Sequence, residues 1–380
     1  MLFRLAIKTL LSDRGKLIAG IIGVTFSVVL ANIQGGLFLG LIHKASILVD
    51  RGHADIWVGS RGMHNVDFPH DIPKRWIQRI RGINDVLQAD PVSVGFSEML
   101  LPSGTFEGVT VVGVEPGNSL GRVWMESQDR RSESFFDELV EDEGVIVDEC
   151  DSDRLENPQL GDFRELGGLR ARIIGKSRGI LSFLVTPYIF TTLERAIRYT
   201  GKDPQECSYF LVRIREGADP KSVCDEIQRR LPYTQAYTAE RYAAVSINFW
   251  MTRTGIGISF GAAALLGLLV GLAMVGQTLY AMVLDRINEF ATLKALGASE
   301  WEIVTILLGQ AAGIAVFGIS VGLMLTWIIN TFYDSPRASI EIPLSLVMAS
   351  SSGVFIMCIV ASAAPYLRVR TVDAHTVLQG

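Results

Sequence analysis

The chain has 380 residues, of which 49% are hydrophobic and 20% are charged, and its mean hydropathy is +0.31. This composition excludes a disordered chain, which requires low hydrophobicity and high net charge. A formal net charge of -5 excludes the basic field of a nucleic-acid-binding protein, and four cysteines exclude a disulfide scaffold.

Four long apolar runs account for the positive hydropathy. Each is longer than the roughly 20 residues that a helix needs to cross about 30 Å of hydrocarbon. The first two runs contain no charged residue. The predicted transmembrane helices are 17–42, 255–284, 303–332 and 344–367.

The basic residues of the two ends predict the orientation. The first 16 residues carry four basic groups and one acid, and the tail 368–380 begins with Arg368 and Arg370. The positive-inside rule therefore predicts that both termini are cytoplasmic. The core of the first run is too long for a signal peptide, so a retained helix is predicted. The loop 333–343 is then external.

A polar insert separates the first span from the second. Residues 43–254 hold 26 of the 35 basic and 32 of the 40 acidic side chains, a net charge of -6. Strand and helix patterns interleave without a βαβ period, which predicts an extracytoplasmic α+β domain. Strands are predicted at 54–58, 109–114, 144–148, 169–174 and 209–214, and helices at 73–80 and 219–230. The helical pattern of 238–254 and the segment 43–50 predict a stalk, or alternatively two ordinary amphipathic connectors.

Small and polar residues inside the spans predict close helix packing, either within the chain or across a dimer. Three pairs have the small-xxx-small spacing, and two polar residues lie in the first span. These residues are Gly36 and Gly40, Gly267 and Gly271, Gly318 and Gly322, with Asn32 and Gln34.

Other candidate sites give weaker signals. Gly175-Lys176-Ser177 resembles the end of a phosphate-binding loop, but Arg170 stands where the pattern needs glycine. The chain therefore is predicted to hold no nucleotide and no other cofactor. His53, His64 and His70 with nearby aspartates match no standard metal spacing, and no catalytic constellation is present. The pairing of Cys150, Cys207 and Cys224 stays open.

The most informative segment is the charged connector 285–302 between the second and third spans. Residues 286–296 suit a helix, Gly297 suits its C-terminal cap, and Ser299 with Glu302 predicts a capping box for the next helix. An amphipathic helix at the membrane surface suits docking of a cytoplasmic partner. The alternative is a plain interfacial turn.

The connector carries a resemblance to a known family. Residues 286–298, RINEFATLKALGA, resemble the R-x-x-E-[FI]-[AG]-x-L-[RK]-A-[LI]-G-A stretch of MacB/FtsX-type permeases, the membrane subunits of type VII ABC transporters. The tail 364–378 resembles the closing pattern of that family, with Ala374 in place of the usual proline. Residues 4–10 resemble its R-x-A-x-x-N-L start, with Thr9 in place of asparagine, and Asp55–Val58 is similar to DevC-type members.

The resemblance covers nearly the whole chain and implies an activity. It implies a cytoplasmic amphipathic helix at 1–16 and a non-catalytic subunit whose connector docks a cytoplasmic ABC ATPase, which binds the ATP. The expected coupling residues are Arg286, Glu289, Phe290, Leu293, Lys294, Leu296 and Gly297. Motion of the ATPase is expected to reach the external domain and to export or extract an amphipathic lipid, glycolipid, lipoprotein or drug. The alternative is an FtsX-like regulatory scaffold that acts on an external hydrolase.

The resemblance also implies partners and a location. The expected partners are a second permease copy or a homologue, a periplasmic adaptor (membrane-fusion) protein and the lipid of the cytoplasmic (inner) membrane. No nucleic acid is expected.

Overall fold

The computed structural model describes residues 13–117, 119–125, 139–140, 143–184, 186–333 and 340–371. They form two compact units. The helical unit comprises the described residues of 1–40 and 257–380, and the inserted domain comprises those of 41–256. The predicted fold class is confirmed, because four helices are long and apolar enough to cross a membrane and an α+β domain separates the first from the second in sequence.

The helices within the described ranges share one chain-order numbering. They are α1 (Arg14–Lys44), α2 (Ile47–Asp50), α3 (Ile77–Arg81), α4 (Leu193–Thr200), α5 (Pro220–Arg230), α6 (Ala239–Arg253), α7 (Ile256–Asp285), α8 (Ile287–Ala295), α9 (Glu300–Phe332), α10 (Leu344–Ala361) and α11 (Ala363–Arg370). The candidate spans are α1, α7, α9 and the continuous apolar stretch of α10 with α11. Most of the predicted segments 1–16, 333–343 and 368–380 lies outside the described residues.

Local signals explain where several helices begin. Ser299 accepts a hydrogen bond from the backbone of Glu302, whose carboxylate accepts one from the backbone of Ser299 in return. This reciprocal pair is the predicted capping box, and it fixes the start of α9. At the start of α5 the carboxylate of Asp219 accepts hydrogen bonds from the backbones of Lys221 and Ser222, and Pro220 occupies the first turn.

The inserted domain is built on a mixed sheet. Its strands are β1 (Ile56–Ser60), β2 (Ile72–Pro73), β3 (Val86–Leu100), β4 (Phe106–Val114), β5 (Gly144–Asp148), β6 (Phe163–Leu166), β7 (Leu169–Ser177), β8 (Tyr188–Thr192), β9 (Glu206–Cys207), β10 (Tyr209–Ile214) and β11 (Thr234–Thr238). Nine of them form one sheet in the order β11-β1-β10-β3-β4-β8-β5-β7-β6, and β2 pairs with β9.

Among the described strands, two pairs are parallel, β4 with β8 and β5 with β7. Strand β6 pairs with β3 as well as with β7, and Met99 lies opposite Leu166. The strands from β3 through β4, β8, β5, β7 and β6 therefore close into a ring. The predicted strands 144–148 and 209–214 coincide with β5 and β10.

The aromatic core of the inserted domain joins the sheet to α6. Trp57 of β1 is fully buried, and its ring lies 5.5 Å from that of Tyr209 and 5.6 Å from that of Tyr242. Tyr242 belongs to α6, the helix that precedes the second span. Aromatic side chains bury large apolar areas in such clusters, so α6 is firmly attached to the sheet.

Candidate functional site

The connector helix α8 packs through one aromatic side chain. Phe290 is buried in a cluster with residues from the neighbouring ends of α7, α9 and α11. The other buried members are Val283, Ile303, Ile306, Leu307 and Val369, and Leu293 packs against them half-buried. The connector is therefore part of the helical unit's core, and a displacement of α8 acts on three other helices.

A lysine strengthens this attachment. The ammonium of Lys294 donates to the carbonyl oxygens of Val369, at 2.7 Å, and Arg370, at 3.2 Å. These carbonyls lie in the last turn of α11. No following turn supplies backbone N–H groups to form hydrogen bonds with them. A cation at this end also interacts favourably with the helix dipole. Lys294 therefore caps α11 from α8.

The two charged residues at the start of the connector face each other. A guanidinium nitrogen of Arg286 lies 3.4 Å from a carboxylate oxygen of Glu289, and the Glu289 side chain is largely exposed. Exposed ion pairs of this kind contribute little to stability, about 0.2 to 1 kcal/mol. The carboxylate of Glu289 remains accessible to a partner.

Two large apolar side chains next to the connector turn point outward. Leu296 is 81% exposed and Trp301 is 80% exposed, and between them Gly297 adopts a φ of +92° that favours glycine. Trp301 also lines a groove of about 400 Å³ beside α9 and α11. The groove is lined by Glu300, Trp301, Val304, Leu307, Ser362, Ala363 and Tyr366.

The seven predicted coupling residues thus divide by position. Arg286 and Glu289 form an ion pair at the start of α8, and Phe290, Leu293 and Lys294 contact the rest of the helical unit. Leu296 faces solvent, and Gly297 makes the turn. Sequence reasoning missed Trp301. The signal was available, since this tryptophan lies between the two residues of the predicted capping box, Ser299 and Glu302.

The start of α1 is tied to the end of α7. The Lys16 ammonium forms an ion pair with Asp285 and donates to the carbonyl of Ala281 at 3.3 Å. Asp13 lies 3.1 Å from the same ammonium. These contacts link α1 to Asp285, the first residue of the connector.

The predicted glycine pairs of α7 and α9 lie against α1. A Cβ added at Gly267 would come within 2.5 Å of Leu30, and one at Gly271 would overlap the Ser27 hydroxyl. This hydroxyl donates to the carbonyl of Gly267 at 2.9 Å. Gly318 and Gly322 lie equally close to Val24 and Val28. In this structure these glycines therefore serve packing within one chain.

The predicted polar residues of α1 lie further along the same helix. Asn32 is fully buried, donates to the carbonyl of Val28 at 2.8 Å and accepts from Ser350 of α10 at 3.1 Å. Gln34 is half-buried and Gly40 is buried. The carbonyl of Gly36 accepts from the backbone of Glu341 at 3.1 Å.

The inserted domain fastens its two chain connections to each other. Ser246 of α6 donates to the carbonyl of Ala45 at 2.6 Å. Around this bond a cluster gathers Leu41, just after the boundary with the helical unit, and Ile256, just before it. The place where the chain enters the domain and the place where it leaves are thus held together.

One carboxyl group in this domain is strongly perturbed. Asp67 is buried and accepts a hydrogen bond from the Tyr188 hydroxyl at 2.6 Å. Burial raises the pKa of Asp67 to about 6, and the hydrogen bond from Tyr188 opposes this shift.

The remaining sequence candidates serve structural roles. Gly175-Lys176-Ser177 lies in β7, where the Ser177 hydroxyl donates to buried Asp148. Among the described residues no three His, Cys, Asp or Glu side chains form a group that could hold a metal ion. All four cysteines are described and unpaired, and burial raises the thiol pKa of Cys207 and of Cys224 to about 12.

Comparison with known proteins supports the resemblance of the connector to permeases of the FtsX type. The model of the FtsX-like permease C-terminal family matches residues 261–374, which include the connector. An uncharacterized ABC transporter permease of Mycobacterium tuberculosis strain H37Rv is 26% identical over 362 residues, covering 92% of this chain and 91% of that protein. Another, of Methanocaldococcus jannaschii, is 25% identical over 175 residues, covering 44% and 42% of the two chains.

Solved structures similar to this chain are domains outside the membrane. The periplasmic region of MacB from Actinobacillus actinomycetemcomitans covers 50% of this chain and 91% of its own, with 9% identity and a TM-score of 0.38. The extracellular domain of the transporter YknZ from Gram-positive bacteria covers 49% and 99%, with 14% identity and a TM-score of 0.36.

The family match and the relatives agree with the four spanning helices and the connector. The chain therefore contains a segment that matches the FtsX-like permease C-terminal family, and it is similar along most of its length to a protein named an ABC transporter permease.

Proposed function

We propose that this permease converts ATP hydrolysis on a partner ATPase into motion of its inserted domain, and that this motion exports or extracts an amphipathic substrate. The observation that carries the proposal is the burial of Phe290 in a cluster shared by α7, α8, α9 and α11. A partner that moves the connector moves these helices with it.

The docking surface of the ATPase is the connector and the residues beside it. Leu296 and Trp301 present exposed apolar side chains there, and the groove near Trp301 adds a recess. Exposed aromatic side chains next to a pocket are the usual anchors of protein interfaces. The orientation predicted by the positive-inside rule, with both termini in the cytoplasm, puts this proposed surface on the side of the ATPase.

The bond between Ser246 and Ala45 supports transmission through the inserted domain. Helix α1 leads into the domain near Ala45, and α6 leads out of it toward α7. Because the two connections are fastened together, a displacement of either span acts on both sides of the same junction. A second permease copy and a periplasmic adaptor protein complete the proposed assembly, as the family resemblance implies.

Co-purification tests the proposal. The full-length permease, purified from its own host in detergent, is expected to bring an ABC ATPase whose activity is measured in proteoliposomes. Trp301→Ala and Leu296→Ala are expected to lose this ATPase. Trp327→Ala is the matched control, since Trp327 is also an exposed tryptophan of α9. Retention of the ATPase by both connector variants contradicts the proposal.

The same preparation distinguishes transport from regulation. Affinity capture through the inserted domain is expected to recover an adaptor or an amphipathic substrate. Recovery of an external hydrolase instead favours the regulatory scaffold.

A further inference from the structure

The inserted domain carries a small exposed aromatic surface that its packing does not require. Phe68 is 48% exposed and Phe96 is 43% exposed, and their ring centroids lie 5.5 Å apart. Phe68 also contacts the ring of Trp250 at 5.9 Å. We call Phe68, Phe96 and Trp250 the aromatic surface. Two adjacent exposed phenylalanines do not gain the free energy that burial would provide. A surface of this kind indicates a binding site for an apolar partner.

Hydrogen bonds of buried polar groups fix the loop that carries Phe68. The side chain of Asn65 accepts from the backbone of Phe68 at 2.7 Å. The carbonyl of Asn65 accepts from the hydroxyls of Tyr209 and Tyr242, and the adjacent Asp67 accepts from Tyr188. Phe68 is therefore presented by an anchored loop.

Trp250 joins Phe68 to the interior of the domain. It is 6% exposed and stacks on Phe183 with 4.2 Å between ring centroids. Among the residues that the structure describes, no acceptor binds its indole nitrogen. Because this nitrogen is itself buried, Trp250 supports the surface by packing and not by binding a ligand.

The aromatic surface lies where the domain adjoins the membrane-spanning helices in the chain. Trp250 belongs to the same apolar cluster as Leu41, within α1, and Ile256, the first residue of α7. Aromatic residues with an apolar body and a polar edge concentrate at the level of the lipid headgroups. A groove of about 380 Å³ on α6 adds two groups that suit phosphate, since His64 and Arg253 both line it.

We propose that the aromatic surface contacts phospholipid of the bilayer leaflet on the side of the inserted domain. Acyl chains pack against Phe68 and Phe96, and Arg253 faces the headgroup phosphate. The inserted domain is thereby attached to the bilayer by side-chain contacts beside its two chain connections. This proposal requires that the four apolar helices span a membrane, and it does not depend on the ATPase partner.

Photo-crosslinking of the full-length permease in phospholipid vesicles tests the contact. Phe68 and Phe96 are each replaced by p-benzoylphenylalanine, and adducts are identified by mass spectrometry. Leu87 is the matched control position, since it is exposed on the same strand as Phe96 but nine residues earlier, about 30 Å along an extended strand. Severalfold more phospholipid adduct at 68 and 96 than at 87 is expected. Equal lipid adduct at the three positions, or adducts with protein only, overturns the proposal.

Fluorescence quenching gives a second test that does not depend on the crosslinker. Vesicles of brominated phosphatidylcholine quench tryptophans close to lipid, and Trp250→Phe is expected to lower the quenched fraction of the emission. Trp57→Phe is the control, because the Trp57 indole nitrogen also lacks a described acceptor but lies fully buried in the sheet core. A quenched fraction that Trp250→Phe leaves unchanged overturns the proposal.

Discussion

The ammonium of Lys294 lies 2.7 Å from the carbonyl oxygen of Val369, although 75 residues separate them in the chain. This bond joins the end of the connector helix to the end of α11. Replacing Lys294 by glutamine removes the charge at the end of α11 and weakens the bond. A hydrogen bond to a charged group contributes about 1.5 to 3 kcal/mol, and partial exposure reduces this, so we expect a loss of about 1 to 2 kcal/mol in unfolding free energy.

Thermal unfolding of the purified full chain measures this change. Arg368→Gln is the control, because Arg368 is an exposed cation of the same last turn of α11. A similar loss in the control variant indicates a general charge effect and contradicts the capping role.

Phe290 is buried and Leu296 is exposed, so we expect substitution of Phe290 to change stability and substitution of Leu296 to change binding of the ATPase. Phe290→Ala removes a fully packed ring from the contact of four helices and is expected to cost about 3 to 5 kcal/mol. Leu296→Ala changes an exposed side chain and is expected to alter stability by less than about 0.5 kcal/mol while losing the ATPase. Thermal unfolding and ATPase co-purification on both variants provide the comparison. A destabilised Leu296→Ala variant contradicts this division.

The ion pair of Arg286 with Glu289 predicts a charge-swap result. Each reversal alone, Arg286→Glu or Glu289→Arg, places like charges together and is expected to abolish coupling to the ATPase. If the pair serves only to shape the start of α8, the double swap restores coupled ATPase activity. If the partner reads these charges, the double swap stays inactive. Single reversals that keep full coupled activity remove both residues from the coupling site.

The close contact of α7 with α1 predicts a steric effect. Gly271→Ala places a methyl group against the Ser27 hydroxyl and is expected to reduce the yield of folded permease. Ser27→Gly in the same chain removes the obstacle and is expected to restore the yield. Gly353→Ala on α10 is the control, since no neighbouring atom lies within 4 Å of its added Cβ. Size-exclusion chromatography of the three variants measures the yield.

The sequence predicts the spanning helices and the connector well because these depend on local signals. Long uncharged runs require a helix in hydrocarbon, and Ser299 with Glu302 defines the start of α9 without reference to distant residues. The contact of Lys294 with α11 depends on two segments meeting in space, so no local pattern indicates it.

The inserted domain shows where local patterns are insufficient. Strand β3 was not predicted, because Pro91 and Gly95 interrupt its alternation and polar residues occupy several positions. Its fifteen residues are extended because β10 pairs with one part and β4 with the other. The exposure of Phe68 likewise depends on Asn65 and the tyrosines that bind it, which belong to distant parts of the chain.

Asp67 predicts a pH dependence with a definite sign. Its pKa is about 6 in the folded domain, whereas an aspartate in an unfolded chain has a pKa of about 3.9. Between these values the folded state holds the proton more tightly, so this group lowers stability as pH rises from about 4 to about 6. Above that range the charged, buried carboxylate costs about 3 kcal/mol.

Asp67→Asn removes the charge and keeps an oxygen that accepts from the Tyr188 hydroxyl. We therefore expect the variant to unfold at a higher temperature than the natural chain at pH 7.5, and at about the same temperature at pH 4. Asp67→Ala is the control, since it removes the acceptor and leaves Tyr188 without this bond. It is expected to be less stable than Asp67→Asn at both pH values, because an unsatisfied buried hydroxyl costs about 1 to 3 kcal/mol. A variant Asp67→Asn that is less stable than the natural chain at pH 7.5 shows instead that the carboxylate is stabilised in the folded domain, and it contradicts the raised pKa.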